Sequence, residues 1–410
     1  MMNFLEPSFK NIFILDSIML SLSELEQFIE DNRNEDVKKL ALRSSSLLGE
    51  NLNYVLTQIS GWQRCRAKIP SWSKVKGLKF PIQLSMEQCS SEQTAQLKSQ
   101  LIRGETLVDL TGGFGVDCAF LSQSFQQVFY VEKNSELADI VTHNYRVLGL
   151  TNITLNIADA VDYLKSMKPV ATIYMDPARR DDYGRKMVSI RDCLPNLSEL
   201  TDLLFEKADD VWVKYSPMLD ISLAIKELES VVELFVISVE NECKELLFHL
   251  KKEGNKEPKI TCFNLQQKGN SQFEFTYHEE SLQPLLLIDR VENYLYEPNS
   301  SIMKAGCFKR LCEVYKLRKL DVNSHLYTSG QLQSDFPGRI FQVEETSTLN
   351  KKSLKALLAG VTKANVTLRN FPMSVDEFRK RMKIKEGGDC YLFGTTIAGV
   401  NSIIKCTKIS

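Results

Sequence analysis

The sequence predicts an α/β protein: an open parallel sheet wound with helices, a helical segment before it and a small α+β region after it. Three observations carry this expectation. From Thr106 to Tyr215, apolar runs of strand length alternate with amphipathic stretches of helix length. Up to about residue 80, apolar residues recur at helical spacing. Beyond about residue 282, short helical and strand-like patterns interleave without a long periodic run.

Taken in order, helices are expected over Ser21–Ile29, Asp36–Leu48 and Leu52–Arg66, before a proline-led connector at Lys68–Trp72. Ser90-Ser91-Glu92-Gln93 reads as a capping box with Ser90 as the cap, opening a helix to Ile102. Strands are expected at Thr106–Leu110, Val128–Glu132, Ile153–Ile157, Val170–Met175 and Val211–Tyr215. Helices are expected at Gly115–Gln123, Ser135–Leu148 and Leu194–Phe205. Strand, helix, strand at this spacing gives parallel pairing with crossover helices. Val231–Val239 and Glu245–Leu250 suggest a closing hairpin. Farther on, Phe308–Lys316, Lys351–Leu358 and Val375–Met382 suggest helices, and Ile340–Glu344, Asn365–Leu368, Asp389–Thr395 and Ser402–Thr407 suggest strands. The chain therefore divides at about 1–80, 81–281, 282–334 and 335–410.

The 410 residues exceed one ordinary core, and 43% hydrophobic with 25% charged residues is a globular composition. The ten cysteines form no Cys-x-x-Cys pair and the four histidines cluster near none of them, so reduced thiols and no metal site are expected. Apolar residues 12–15 are flanked by Lys10 and Asp16, and no run reaches the length of a membrane span, so a cytoplasmic protein without a membrane partner is expected. The net charge of −1 hides an asymmetry. Residues 301–410 hold 19 Lys and Arg against 9 Asp and Glu, a net of +10; the other 300 hold 32 against 43, a net of −11.

The motif that carries chemistry is Val108-Asp109-Leu110-Thr111-Gly112-Gly113-Phe114-Gly115-Val116-Asp117. An apolar strand ends in an acid and runs into a glycine turn that opens a helix. Glycine lets backbone turn sharply and approach a ligand without a Cβ between them. An ordinary tight turn would also use glycine, so the neighbouring strands decide. The second strand ends at Glu132, where an acid can grip ribose hydroxyls. Asp159 follows the third strand, placed to meet an adenine amino group, and Asp176 follows the fourth. Four acids thus fall on the edge of the sheet where open α/β folds bind ligands. A nicotinamide dehydrogenase would need G-x-G-x-x-G; aligned on Gly113 and Gly115, the third place holds Cys118.

With these residues, segment 104–250 resembles a class I S-adenosylmethionine-dependent methyltransferase with a Rossmann-like sheet. The resemblance implies that Asp109, Thr111, Gly112, Gly113, Gly115 and Asp117 surround the methionine part of S-adenosylmethionine, Glu132 the ribose and Asp159 the adenine. The whole chain is similar to a bacterial group of such enzymes with a THUMP-like C-terminal domain. Leu84–Glu92, Asp176–Arg180, Pro217–Asp220 and Asn241–Leu246 carry that similarity. It implies a ferredoxin-like segment at 282–334 and a basic, RNA-binding THUMP-like domain at 335–410.

Asp176-Pro177-Ala178-Arg179 resembles the Asp-Pro-Pro-aromatic motif of enzymes that methylate exocyclic base nitrogens. The catalytic candidates are these four residues, with Asp176 orienting the amine. Ala178 replaces the second proline and Arg179 the aromatic, so Arg179 could stack on a base or bind phosphate; Tyr183 is another stacking candidate. Lys214-Tyr215-Ser216-Pro217, on the same sheet edge, could line the pocket or be a simple strand end. Arg379, Lys380, Arg381 and Lys383 are the RNA-binding candidates, against the plainer reading of a solvated basic helix. The function implied is methylation of a base in tRNA or rRNA. The rival readings are a cofactor- and RNA-binding assembly factor without catalysis, and a methyltransferase for DNA or protein.

Overall fold

The structure, a computed structural model, describes residues 21–179 and 189–409, with Arg179 described in its backbone alone. Arg180, Tyr183 and residues 12–15, named above, lie outside the described residues. Along the chain come α1 (Leu22–Asn32), α2 (Val37–Leu48), α3 (Leu52–Lys68), α4 (Gln83–Gln88) and α5 (Glu92–Leu101). Strands and helices then alternate: β1 (Thr106–Asp109), α6 (Val116–Leu121), β2 (Gln127–Glu132), α7 (Ser135–Val147), β3 (Ile153–Ile157), α8 (Ala160–Ser166) and β4 (Val170–Met175). A short pair, β5 (Ala178–Arg179) and β6 (Cys193–Leu194), precedes α9 (Thr201–Lys207), β7 (Ala208–Tyr215), α10 (Ile221–Leu228), β8 (Val231–Val239) and β9 (Glu242–Lys251). Two further strands, β10 (Lys259–Leu265) and β11 (Ser271–Phe275), lead to α11 (Tyr277–Leu282). The last part holds β12 (Tyr294–Pro298), α12 (Ser300–Ala305), α13 (Lys309–Val314), β13 (Arg318–Lys319), β14 (Tyr327–Ser329), β15 (Gly338–Thr348), α14 (Lys351–Leu357), β16 (Asn365–Arg369), α15 (Val375–Met382), β17 (Cys390–Ile397) and β18 (Val400–Lys408).

These elements form two compact bodies. The first takes the described residues up to Arg103, with Gly112–Ser124 and Glu132–Ile157. Its helices start where side chains satisfy the orphan N–H groups of a first turn: Ser21 and Glu24 make a reciprocal box on α1, Asp36 caps α2 and Asn134 caps α7. Leu25, Leu40, Leu48, Val55 and Ile59 close a small core between α1, α2 and α3. The cap of α5 is Ser91, which accepts the Thr94 N–H; Ser90 is not the cap, because its hydroxyl is spent on a buried carboxylate described below.

The second body takes Gly104–Thr111, Phe125–Val131 and everything described from Ala158 onward. Its strands run in the order β11-β10-β8-β9-β7-β4-β1-β2. β2, β1, β4 and β7 are parallel, with Asp109 opposite Tyr130 on one side and Tyr174 on the other. The chain leaves β1 toward β2 and later returns to place β4 on the opposite side, so the carboxyl ends of β1 and β4 flank a topological switch point. β9 is antiparallel to both β7 and β8, and β10 and β11 continue the sheet beyond the expected hairpin. The helix expected from Leu194 begins only at Thr201: Leu194 pairs with Ala178, Pro195 lacks an N–H, and Asn196 caps a single tight turn at Leu197–Glu199.

The same body holds a second sheet, in the order β13-β14-β12-β15-β18-β17-β16. Its pairs are antiparallel except β16 with β17. Two apolar clusters pack on it, one around Phe341, Phe393 and Ile404, the other joining α14 and α15 through Leu357 and Phe378.

Candidate active site

In the first body, the glycine turn needs its glycines. Gly113 and Gly115 have φ of 55° and 76°, in the left-handed region where a Cβ is strained. A Cβ on Gly115 would also stand 2.3 Å from the Tyr145 hydroxyl. That hydroxyl donates to the Gly115 carbonyl at 2.8 Å and ties the turn to α7. Glu132 is half-buried and receives one backbone N–H on each carboxylate oxygen, from Gly113 at 3.0 Å and Asn134 at 2.8 Å. Two of the expected cofactor residues, Gly113 and Glu132, are therefore directly bonded.

Asp117 is buried in the first turn of α6 and engaged from the side of α5. The Ser90 hydroxyl donates to it at 2.7 Å, and Lys98 Nζ stands 3.1 Å away. Lys98 is fully buried and also donates to Ser90 at 3.0 Å. Phe114 packs edge-on against Trp72 with ring centres 5.7 Å apart. The stretch Leu84–Glu92 thus contributes a hydroxyl that fixes the base of the glycine turn. Sequence reasoning missed Lys98, since a single lysine on an amphipathic helix carries no sign of burial.

In the second body, Asp109 is buried at the end of β1, and its carboxylate accepts the Thr111 N–H at 3.0 Å. The Thr111 hydroxyl accepts the Asp176 N–H, and Leu110 N–H bonds to the Tyr174 carbonyl at 3.0 Å. These bonds lock the ends of β1 and β4 together at the switch point. The Asp176 carboxylate is 36% exposed and lies 2.6 Å from Lys214 Nζ, whose side chain is 8% exposed. Next to Lys214, Tyr215 is buried, and its hydroxyl has no partner among the described residues. Burial, with Cys193, Glu227 and Asp176 nearby, pushes that phenol far above its ordinary range, so it stays neutral. Pro177 is buried and Ala178 exposed; β5 pairs Arg179 with Cys193. Asp159 is exposed and caps α8, one oxygen accepting the N–H of Val161 at 2.9 Å.

The basic candidates lie on α15, held by a reciprocal box between Ser374 and Glu377 and anchored by buried Phe378. Arg379 is tied to Glu386 at 3.2 Å, while Lys380, Arg381 and Lys383 are exposed. Among the described residues, no group of three or more His, Cys, Asp or Glu is placed to hold a metal, and no helix is long and apolar enough to cross a membrane.

Family models match two stretches, a ferredoxin-like domain over residues 294–337 and a THUMP domain-like region over 338–408. The crystal structure of a Porphyromonas gingivalis W83 protein, a methyltransferase by assignment, is 35% identical over 96% of this chain and 100% of its own, with a TM-score of 0.84. The chain belongs to the class I methyltransferase family that carries a THUMP-like C-terminal domain. Likenesses to other solved structures are partial. A Pyrococcus horikoshii protein assigned as an RNA methyltransferase shows 18% identity over 46% of this chain and 98% of its own, TM-score 0.32. A Streptococcus mutans protein assigned as a methyltransferase, in complex with SAH, shows 14% over 39% of this chain and 96% of its own, TM-score 0.29. No functionally curated protein matches the chain.

Proposed function

We propose that this methyltransferase uses S-adenosylmethionine and transfers the methyl group to a base nitrogen of tRNA or rRNA. The carrying observation is Asp176, half-exposed at the switch point and held by Lys214 on one side and Thr111 on the other. In each body taken by itself, the donor set fits the cofactor. Glu132 carries one N–H on each oxygen and keeps lone pairs for two ribose hydroxyls. Asp159 is exposed, with one oxygen left over from capping for an adenine amino group. Asp109, Thr111, Gly112, Gly113 and Gly115 take the methionine part, and Asp117, gripped by Ser90 and Lys98, holds the turn in shape.

S-adenosylmethionine supplies a methyl group that is already activated toward a nucleophile. The chain's own part is then mainly alignment. Asp176, an acceptor, takes a hydrogen bond from the base amine and turns its lone pair toward the incoming carbon. Lys214 balances the carboxylate charge and fixes its rotamer. Transfer would break the sulfur–methyl bond and release S-adenosylhomocysteine, and the excess proton of the methylated nitrogen would pass along its hydrogen bond to Asp176 and on to solvent. Arg179 is the residue we assign to the base or its phosphate. In this reading 81–281 holds the cofactor chemistry, 1–80 supports it, and 282–334 with 335–410 bind RNA.

The test is mass spectrometry of nucleosides from total RNA of cells with and without the gene. Loss of one methylated nucleoside is expected. Identical profiles, with no methyl transfer to any cellular RNA in vitro, would favour the non-catalytic assembly factor.

A further inference from the structure

The net charge of +10 over 301–410 is not spread evenly among free cations, and one cluster is assembled with unusual care. Glu297 lies in β12 with its side chain 3% exposed. Arg339, directly opposite in β15, donates to one carboxylate oxygen through both Nε and Nη2, with Nε at 2.7 Å. Arg369, the last residue of β16, donates to the other oxygen, Nη2 at 3.1 Å and Nε at 3.3 Å. Both guanidiniums reach the surface, Arg339 33% and Arg369 41% exposed. Arg339 also lies over the Phe341 ring at 5.6 Å, and its Nη2 touches the Thr367 hydroxyl at 3.5 Å.

A guanidinium carries five N–H donors in a rigid fork. Those spent on Glu297 leave the Nη1 groups of both arginines without a protein partner among the described residues. One carboxylate against two guanidiniums leaves the cluster net positive. The arrangement holds two long side chains in one geometry before any ligand arrives, which removes much of the rotamer cost of binding. Local potential is reinforced from another side. His325 lies against the Phe308 ring at 3.8 Å, its Nδ1 buried and unpartnered, and Lys319 stands over the same ring at 5.2 Å. Burial first, and then Lys319 and Arg369, disfavour a charge on that imidazole.

We propose that Arg339 and Arg369, pre-aligned by Glu297, form a binding site for a phosphodiester group of the RNA substrate. The site rests on the RNA reading above but differs from the α15 cluster, whose exposed lysines and arginine stand on unrestrained stems. Tetrahedral phosphate oxygens match paired N–H donors, and guanidiniums are more weakly hydrated than ammonium groups, so the contact loses less on desolvation. An acidic protein partner would meet the same cations. The RNA backbone is favoured because the 301–410 segment that holds both arginines carries a net charge of +10.

The experiment is titration of labelled total tRNA against wild type, Arg339→Lys, Arg369→Lys and the double variant at several salt concentrations. Lysine keeps Glu297 paired, so the fold survives, while the fork is lost; thermal unfolding checks this. Affinity should fall several-fold in each variant. Arg369→Gln, which leaves Glu297 held by Arg339, should also flatten the log–log salt slope by about 0.7 to 0.9, one phosphate contact. Unchanged affinity and slope overturn the site. If wild type binds no RNA, the RNA reading falls, and arginine Nε NMR signals with inorganic pyrophosphate decide the site itself. Signals of Arg339 and Arg369 that move uphold a phosphate site for another ligand; signals that stay still overturn it.

Discussion

Two charge clusters in the second body are inversions of each other. At the switch point the cation, Lys214, is buried, and the acid, Asp176, reaches the surface. On the other sheet the acid, Glu297, is buried, and the cations, Arg339 and Arg369, reach the surface. Burying a lone charge is costly, so each buried member needs its partner. The buried member therefore decides which charge is offered outward and in what orientation. One cluster presents an acceptor, suited to the N–H of a base. The other presents donors, suited to phosphate oxygens. Under the proposed function, the same pairing chemistry would serve both a reacting end and a gripping end.

The largest expected effect breaks the first cluster. Asp176→Ala should bind S-adenosylmethionine nearly as wild type does and lose turnover by on the order of 10²-fold or more, because alignment is lost. Since alanine removes the carboxylate that pairs with buried Lys214, Asp176→Asn is the companion variant: it keeps an acceptor and fills the same volume. Methyl incorporation into RNA from cells lacking the gene, alongside calorimetry with the cofactor, reads both quantities. Full activity in folded Asp176→Ala would remove Asp176 from the reaction, and full activity in Asp176→Asn would leave it an orienting acceptor that takes no proton. Next in size is Glu132→Ala, which deletes the proposed ribose acceptor together with its bonds to the Gly113 and Asn134 N–H groups. Cofactor affinity should weaken by about 1–3 kcal/mol. An unchanged calorimetric affinity in folded protein would show that Glu132 only shapes the turn.

The inversion also explains what the sequence discloses. β1, β2 and β4 are runs of Val, Leu, Ile, Tyr and Phe that end at Asp109, Glu132 and Asp176, so fold and acids are visible as local pattern. The partners are not local. Lys98 meets Asp117 and Ser90 across a turn of the chain, and an isolated lysine in a polar helix looks solvated. Glu297 interrupts the apolar run of β12, and its burial depends on arginines 42 and 72 residues away. That is why β12 went unexpected while β4 was placed at its true ends. Lys214 was visible as a residue of the site edge, but its pairing with Asp176 was not.

A smaller effect is expected from α15, where the charge is merely exposed. Changing Arg379, Lys380, Arg381 and Lys383 to glutamine should lower RNA affinity and flatten the salt slope by up to about 2, at roughly 0.7 for each of the three exposed cations. Arg379 adds little because Glu386 already holds it. Cofactor binding should be unaffected. Equal titration curves for mutant and wild type would make α15 a solvated face, and leave phosphate binding to the arginine pair alone.

The smallest effect, and the one that isolates the gripping end from RNA altogether, is the titration of His325. Burial first, then Lys319 and Arg369, push its pKa down from 6.5 to about 4. An imidazolium there would sit among like charges, so the folded protein prefers it neutral. The unfolded chain binds that proton more readily. The resulting stability is therefore complete above about pH 6.5 and drains away as pH falls toward 4. Because His325 is only half-buried, solvent screening keeps the energy small; the informative quantity is the titration itself. The chain has four histidines, so the His325 ring signal is identified by its disappearance in His325→Gln. In wild type it should titrate far below the usual histidine range, and Arg369→Gln should move it upward by removing one of the two opposing cations. In His325→Gln the loss of stability between pH 6.5 and 4 should be shallower than in wild type. A His325 that titrates near 6.5, or that ignores Arg369→Gln, would mean the arginines of the second sheet project no field onto their neighbours. The gripping end would then be an ordinary surface salt bridge, and the inversion would hold only at Asp176 and Lys214.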